Sequence, residues 1–360
     1  MTIYWIYIAA CLLSAGVVLA ITPGVKALAL RYGKFDLPGD RKVHQRPTVR
    51  LGGVAIFSAT MLSALCASWG AVTFTSIPAS AFHPTLLILL GGSGFFLIGF
   101  ADDLFQISAL NRLIMQFAVA ALLWSLGLRI DVWVLPGLSP MAFGWLSLPI
   151  TALWLSGVAN AINWIDGLDG LAAGVAGIAT VSLVIFCMAI AQPVPAILGA
   201  ALIGSLLGFL YYNYNPATIF MGDGGSYFVG FILASLCIVG PQHIDSPFAT
   251  LLPLVILGVP LVDMVGVILL RLYRKKSPFS ADRLHLHHRL LDRDLSHRAA
   301  VGVVYVLTLM TSGLAFALAG MIESAIFFAG LSSALVALSW WVRQQILPDE
   351  SSNIAMSKGI

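Results

Sequence analysis

Eleven long apolar runs follow one another along this 360-residue chain, and each is close to the length needed to cross a lipid bilayer as a helix. The mean hydropathy is +0.95 and only 10% of the residues are charged, which excludes a soluble globular domain. The runs are centred in residues 3–30, 52–73, 84–101, 113–128, 143–160, 170–190, 195–211, 227–240, 248–270, 300–320 and 324–344. The sequence therefore predicts an all-α, polytopic membrane protein with about eleven transmembrane helices.

The connections between the runs give no sign of a domain boundary. No repeat or low-complexity segment occurs, and no connection is long enough to fold as a second domain. The first run differs from a cleavable signal peptide, because no basic residue precedes it and it is too long for an h-region. We therefore expect one integral-membrane domain over residues 1–345 and a short cytoplasmic tail over residues 346–360.

The basic residues predict how the chain is oriented in the membrane. Of the nineteen Lys and Arg, six lie in the 31–50 connection and eight lie between Arg271 and Arg298. Because cytoplasmic loops carry an excess of Lys and Arg, the N-terminus is predicted outside and the C-terminus in the cytoplasm, in the inner (plasma) membrane. The basic face suits lipid head groups or phosphates rather than nucleic acid. The sequence leaves open whether the chain forms a homodimer.

The polar motifs all lie on the predicted cytoplasmic side. They occupy residues 99–112, 160–170, 211–226 and 277–291, whereas the outer connections are short and almost without charge. A transporter would place its polar site near the midplane, with access from both sides. The one-sided arrangement favours a surface reaction between a lipid and a cytosolic partner. A lipid-linked-sugar transporter and an inactive membrane scaffold are the alternatives.

Acidic residues dominate these motifs and predict a bound cation. Two like charges about 4 Å apart repel by about 4 kcal/mol at an effective dielectric constant near 20, so a converging set of carboxylates needs neutralising. Oxygen ligands favour Mg²⁺ or Mn²⁺ over zinc. Alternatively, some of these residues are helix caps or salt-bridge partners of Arg112 and Arg283. The acids concerned are Asp102, Asp103, Asp166, Asp169 and Asp223.

Local spacing divides the predicted roles. Asp102 and Asp103 at a helix end would point about 100° apart, so they should do different work. The glycine-rich segment 221–226 precedes an apolar helix, whose exposed N–H groups would attract phosphate. His285, His287 and His288 are spaced poorly for zinc and are interpreted as donors to an anionic or sugar ligand.

Together, these motifs resemble the polyprenyl-phosphate N-acetylhexosamine-1-phosphate transferases (glycosyltransferase family 4). The resemblance runs in order through nearly the whole chain and implies transfer of a sugar 1-phosphate from a UDP-sugar to a polyprenyl phosphate, with Mg²⁺ as cofactor and UMP released. The segments that carry it are RKVHQRPTVRLGG (41–53), DDLFQIS (102–108), NAINWIDGLDGLAAG (160–174), NYNPATIFMGDGGS (213–226), GVPLVD (258–263) and ADRLHLHHRLL (281–291).

The resemblance also implies roles for individual residues. Asp102 and Asp103 match the catalytic acidic pair that acts on the lipid phosphate, and Asn163 and Asp223 match the magnesium ligands. The predicted substrate-binding residues are Asp166, Gly167, Leu168, Asp169, Arg112, Asn215, Arg283, His285, His287 and His288. Lys42, His44 and Asp263 are predicted as supporting residues; Asp263 lies about 12 Å below Arg271 on an apolar helix.

One departure from the muramoyl-pentapeptide branch bears on the donor. That branch typically has a Lys soon after the acidic pair and a different histidine loop, whereas Gln106 stands here and the loop reads HLHHR. This favours UDP-GlcNAc as donor and undecaprenyl phosphate as acceptor, in the first step of lipid-linked glycan synthesis such as a wall polymer or O antigen. Another UDP-N-acetylhexosamine is the alternative. Direct attack, with Asp102 as base or orienting group, is preferred over a covalent aspartyl intermediate, but the sequence decides neither.

Overall fold

The computed structural model describes residues 2–33, 48–134, 139–239, 251–280 and 282–346. These residues are almost entirely helical, which confirms the predicted all-α class. The helices are α1 (Thr2–Arg31), α2 (Gly52–Phe74), α3 (His83–Phe105), α4 (Ala109–Ser125), α5 (Ser147–Ile165), α6 (Leu171–Ala189), α7 (Pro193–Asn213), α8 (Gly222–Val239), α9 (Leu252–Ile256), α10 (Gly258–Tyr273), α11 (Leu286–Leu291), α12 (His297–Leu318) and α13 (Ile322–Ile346). The predicted tail lies outside the described residues, apart from Ile346.

Nine helices in the described part of the chain are long and apolar enough to cross a membrane. The other two apolar runs are helical as well, but they are built differently. The run near 113–128 forms α4, which has only 17 residues. The run 248–270 contains α9 and α10, which are separated at Leu257, where the backbone leaves the helical conformation. Pro260 lies in the first turn of α10, where its missing N–H group is not needed, so a helix can begin there.

Helix α8 lies at the centre of the bundle. Every residue of this helix except Asp223 is buried, and it packs against α2, α3, α5, α6 and α7. Small residues allow these close approaches, as is common between membrane helices. A Cβ atom on Gly99 of α3 would collide with the backbone of Asp223, and one on Gly53 of α2 would collide with the backbone of Gly225. The first turn of α8 is therefore packed between the end of α3 and the start of α2.

Two short strands form a hairpin between α4 and α5. Strand β1 (Val132–Trp133) pairs antiparallel with β2 (Met141–Ala142), and no other strand occurs in the ranges that the structure describes. Arg129 binds Asp131 at 2.7 Å, and the hydroxyl of Ser147 donates to the other oxygen of Asp131 at 2.9 Å. The hairpin follows the end of α4 that leads away from the polar motifs.

The close approach of α3 to α8 predicts the effect of a small substitution. Gly99→Ala should destabilise the protein by about 1 to 3 kcal/mol, because the added methyl group would overlap the backbone of Asp223. Gly157→Ala is the matched control, since Gly157 lies inside α5 with no atom within 4 Å of an added Cβ. Thermal unfolding in detergent should show a lower melting temperature for the first variant alone. Equal melting temperatures would contradict the described packing.

Candidate active site

The first turn of α8 is held by the carboxylate of Asp103. The N–H groups of Asp223 and Gly224 donate to its two oxygens at 3.0 Å each. A carboxylate is favourable there, because the start of a helix carries a partial positive charge. Our expectation that these glycine-rich amides would bind phosphate is therefore wrong for these two N–H groups. The packing of Gly99 brings the end of α3 so close that Asp103 occupies the position instead.

Asp102 points to a different partner from its neighbour. Its carboxylate accepts a hydrogen bond from Nη1 of Arg112, and the same nitrogen donates to Oδ2 of Asp223 at 3.1 Å. Arg50 approaches the other oxygen of Asp223, with 3.7 Å between Nη2 and Oδ1. The two adjacent aspartates thus face in different directions, as their spacing predicts. Asp223 lies between two guanidinium groups.

Asn163 lies beside Asp223, as expected for two residues predicted to share a ligand. Its side-chain nitrogen donates to Oδ1 of Asp223 and to the hydroxyl of Ser226, both at 2.9 Å. The Ser226 hydroxyl in turn donates to the carbonyl of Gly222 at 3.0 Å. These contacts leave the amide oxygen of Asn163 available for a further partner. The end of α5 and the start of α8 therefore present oxygen atoms side by side.

The acidic pair, Asp223 and the two arginines surround an open pocket of about 430 Å³. Its lining includes residues 102–104, Gln106, Arg112, Asp223 and Arg50. Gln106 ends α3 in a left-handed conformation with φ of 55°, and its N–H donates to the carbonyl of Asp102. The Nε atom of Arg112 is buried without an acceptor in the described part of the chain. A buried donor of this kind needs an acceptor. The guanidinium groups of Arg112 and Arg50, which line the pocket, can bind an anion.

The turn between α5 and α6 forms a second polar centre. Oδ2 of Asp169 accepts from the side chain of Asn215 at 2.9 Å and from the N–H of Ala217 at 3.0 Å. Asp166 is half-buried at the end of α5. Burial raises its pKa to about 7, and neighbouring carboxylates add to this shift while Arg50 opposes it. The structure thus brings Asp169 and Asn215 into contact, as predicted, while Asp166 interacts electrostatically with Arg50, Asp223 and Asp103.

Residues 282–289, which we call the histidine loop, pack against this turn. A Cβ atom on Gly167 would collide with the ring of His287, so only glycine allows the contact. Leu168 beside it is buried. Burial, together with the neighbouring imidazoles, lowers the pKa of His287 to about 3, so this ring is neutral at physiological pH. Gly167 and His287 are 120 residues apart in the sequence, yet the turn and the histidine loop that carry them are in direct contact.

The three imidazole rings of the histidine loop contact one another, with ring centres 5.8 Å apart for His285 and His287 and 4.3 Å apart for His287 and His288. Nδ1 of His285 lies 2.8 Å from Oδ2 of Asp263, and the exposed Arg283 donates to Asp292 at 3.3 Å. Burial lowers the pKa of His288, and its Nδ1 atom has no hydrogen-bond partner among the described residues. The three histidines of the predicted donor set therefore form one cluster, and Arg283 lies outside it. The roles of all four residues toward a substrate stay predictions, and Lys42 and His44 lie outside the described residues.

Sequence reasoning missed several residues that shape the site. Arg50 reaches Asp223 because Val49 forms a backbone bridge with Ile219, a contact with no local sequence signal. Tyr305 of α12 donates to the carbonyl of Gly170 at 2.6 Å, and Arg298 of α12 donates to the carbonyl of Asn215 at 2.8 Å. The start of α12 therefore supports the second polar centre. Arg298 could have been suspected from its charge, but Tyr305 could not.

The fold and the site define a class: a polytopic helical membrane protein with a centre of paired carboxylates and guanidinium groups where helix ends meet. The sequence model of glycosyl transferase family 4 matches residues 85–241. The chain is 36% identical over 301 residues to the probable undecaprenyl-phosphate N-acetylglucosaminyl 1-phosphate transferase of Bacillus subtilis, covering 83% of this chain and 81% of that protein. The chain belongs to glycosyl transferase family 4, which confirms the resemblance found in its motifs.

Two further relatives span the donor types within this family. The chain is 32% identical over 279 residues to the phospho-N-acetylmuramoyl-pentapeptide-transferase of Halalkalibacterium halodurans, covering 72% of this chain and 81% of that protein. It is 29% identical over 287 residues to the undecaprenyl-phosphate alpha-N-acetylglucosaminyl 1-phosphate transferase of Escherichia coli K12, covering 76% of this chain and 74% of that protein. Overall sequence identity therefore does not distinguish the two donor types. The distinction has to come from particular residues of the site.

The different partners of the acidic pair predict different effects on stability. Asp103→Asn should destabilise the protein by about 1 kcal/mol, because an amide offers one acceptor oxygen to two N–H groups at the start of α8. Asp102→Asn should cost less, since it leaves that helix start capped and Arg112 bound to Asp223. Melting temperatures of both variants in detergent would check this order. The reverse order would show that Asp103 is not the main support of α8.

Proposed function

We propose that this protein transfers N-acetylglucosamine 1-phosphate from UDP-GlcNAc to undecaprenyl phosphate, releasing UMP, at the cytoplasmic face of the inner membrane. The product would be the first lipid-linked intermediate of a glycan. The observation that carries the proposal is the pocket at the ends of α3, α4 and α8, where Arg112 bridges Asp102 and Asp223. The names of the Bacillus subtilis and Escherichia coli relatives support the same reaction.

The charges of the pocket suit the approach of two anions. Lipid phosphate and nucleotide diphosphate repel each other, so their reaction needs cationic groups that are already in place. Arg112 and Arg50 provide these groups, and Nε of Arg112 has no acceptor among the described residues. A phosphate bound by the Arg112 guanidinium would lie close to the Asp102 carboxylate, which is hydrogen-bonded to Nη1 of the same side chain.

The proposed step joins the lipid phosphate to the β-phosphorus of the donor. An oxygen of the lipid phosphate attacks that phosphorus, and the bond to the oxygen that links the two donor phosphates breaks. That oxygen leaves with UMP, and the new bond gives a lipid diphosphate sugar. Asp102 orients the attacking phosphate or accepts its proton, while Asp103 keeps the start of α8 in place. Positioning of this kind accounts for much of the rate in phosphoryl transfer.

The donor set of the site fits a magnesium ion that is shared with substrate. Among the described residues, no three His, Cys, Asp or Glu side chains are arranged to hold a metal together. Mg²⁺ in such enzymes usually binds one or two carboxylates, several waters and the substrate phosphates, so a complete protein cage is not required. Asp223 and the amide oxygen of Asn163 would hold the ion, which would neutralise charge on the diphosphate. Mn²⁺ offers the same chemistry.

The histidine loop and Gln106 support a compact donor. Gln106 lines the pocket close to the acidic pair, where the muramoyl-type branch typically carries a Lys. The histidine loop packs onto Gly167, which limits the space beside the turn between α5 and α6. A small sugar fits this boundary better than a sugar that carries a peptide. UDP-GlcNAc is therefore the proposed donor, and another UDP-N-acetylhexosamine is the main rival.

A donor series with purified enzyme tests the proposed reaction. With undecaprenyl phosphate and Mg²⁺, radiolabel from the sugar of UDP-GlcNAc should enter an organic-extractable lipid, and the sugar should be cleaved off by mild acid. A site that hydrogen-bonds particular groups can reject analogues by a factor of about 10⁴ or more, so the preference should be large. Faster transfer from UDP-GalNAc or from UDP-muramoyl-pentapeptide would show that UDP-GlcNAc is not the preferred donor, while the proposed reaction type would stand. No lipid product from any UDP-sugar would overturn the function.

Substitution of Asp223 tests the proposed metal site. Asp223→Asn should raise the Mg²⁺ concentration needed for half-maximal turnover by about tenfold or abolish turnover, because the ligand loses its charge. Asp294→Asn is the matched control, since Asp294 is exposed and makes no side-chain hydrogen bond to other described residues. EDTA should stop the reaction, and Mg²⁺ or Mn²⁺ should restore it. A near-normal rate of Asp223→Asn at low Mg²⁺ would show that Asp223 is not a ligand.

A further inference from the structure

Asp263 takes no part in the proposed reaction, but it makes several contacts inside the protein. It lies in the first half of α10, its side chain is only 8% exposed, and both of its oxygens have partners. Oδ2 lies 2.8 Å from Nδ1 of His285, and Oδ1 accepts the N–H of Leu286 at 2.7 Å. A buried carboxylate is costly unless it is hydrogen-bonded, so these two contacts explain how it is tolerated. Both partners belong to the histidine loop.

A second anchor holds the other end of the histidine loop to the same helix. Arg271 of α10 is 4% exposed and donates to both oxygens of Asp282, at 2.7 and 3.1 Å. The Arg271 guanidinium holds the pKa of Asp282 below its usual range. Arg271 also donates to the carbonyl of Pro278. The loop is therefore fixed at Asp282 and again at His285.

The spacing of the anchors shows that the loop runs back along α10. Asp263 and Arg271 are eight residues apart, which is about 12 Å along a helix. The segment from Asp282 to Leu286 covers four residues, or about 13 Å when extended. The two lengths agree, so an extended segment can join both anchors without slack. The loop therefore runs back along α10 and places α11 next to α12.

Trp164 connects this arrangement to the turn between α5 and α6. Its ring lies under the guanidinium of Arg271, with 4.9 Å from Cζ to the ring centre, and the ring of His285 meets it edge-on at 5.4 Å. Trp164 is the last residue but one of α5, immediately before the turn that carries Asp166 and Gly167. A cation over an indole face and an edge-on aromatic contact are both attractive. The loop and the turn thus share one packed boundary.

We propose that Asp263 is a positioning residue for donor binding, which holds the histidine loop against residues 164–167 before any substrate arrives. Its contact with Nδ1 fixes the orientation of His285 and leaves Nε2 as the ring nitrogen that faces a hydroxyl or phosphate oxygen of the UDP-sugar. The inference rests on the proposed function for the identity of the ligand. Its structural half, the anchoring of the loop, stands apart from that function and is measured separately.

Asp263→Asn is the principal test. The amide can still accept from Leu286, but it loses the charge that binds His285, and hydrogen bonds to charged groups are among the stronger ones. We expect kcat/KM for UDP-GlcNAc to fall about tenfold to hundredfold, mainly through KM for UDP-GlcNAc, with KM for undecaprenyl phosphate changed by less than about twofold. Asp294→Asn removes an exposed charge from the neighbouring segment and should match the wild type. Equal rises in both KM values would contradict a role confined to the donor.

A double-mutant cycle distinguishes positioning through His285 from general damage. His285→Ala should lower kcat/KM for UDP-GlcNAc, and adding Asp263→Asn to it should change that value by less than about threefold, because the shared contact is already lost. If the loss in kcat/KM of the double variant equals the product of the losses of the two single variants, the proposal is wrong. That result would mean that Asp263 acts independently of His285.

Hydrogen exchange measures the anchoring without any assay of turnover. In the wild type, peptides covering residues 284–289 should exchange slowly, since the N–H of Leu286 is bonded to Asp263. Asp263→Ala should speed exchange in these peptides and leave those covering α8 unchanged. Rapid exchange of residues 284–289 in the wild type would overturn the anchoring. If the exchange results hold and no UDP-sugar reacts, the proposed function fails while the anchoring stands.

Discussion

The contact between the Asp103 carboxylate and the first turn of α8 supports the rest of the site. Helix α8 is buried along almost its whole length, so N–H groups at its start would cost about 1 to 3 kcal/mol each if they had no acceptor. Asp103 accepts from two of them and places its negative charge at the positive end of the helix. This contact fixes the direction of the Asp223 side chain, and Asp223 in turn binds Arg112 and Asn163.

The position of this centre at the helix ends fits the two kinds of substrate it is proposed to join. A lipid phosphate reaches the end of a membrane helix from the plane of the bilayer, whereas a nucleotide reaches it from the cytosol. In the proposed reaction, Arg112 and Arg50 would attract both phosphates, and Asp102 would limit where the lipid phosphate lies. The turn between α5 and α6 follows Asn163 closely in the chain and packs against the histidine loop. In the proposed reaction, Arg112 would hold the acceptor phosphate and this turn would contact the donor.

The sequence predicted the helices and the motifs well, because both depend on local patterns. Apolar runs of bilayer length gave helical segments in all eleven places, and the adjacent pair Asp102 and Asp103 had to diverge on a helix. The capping of α8 by Asp103 was not predictable, since it depends on how closely Gly99 lets α3 approach. Nor could four polar residues of the histidine loop be assigned separate partners from their spacing. The partner of His285 is Asp263 on α10, whereas Arg283 binds Asp292 nine residues further along the chain.

The fate of the donor's β-phosphate tests the central claim most directly. UDP-GlcNAc with a radiolabelled β-phosphate would be incubated with the purified protein and undecaprenyl phosphate, and lipid and aqueous phases would then be separated. The account predicts that the label moves into the lipid together with the sugar, in equal molar amounts, while unlabelled UMP stays in water. Label that stays in the aqueous phase as UDP while the sugar enters the lipid would contradict it. That result would mean that the site transfers a sugar and not a sugar phosphate.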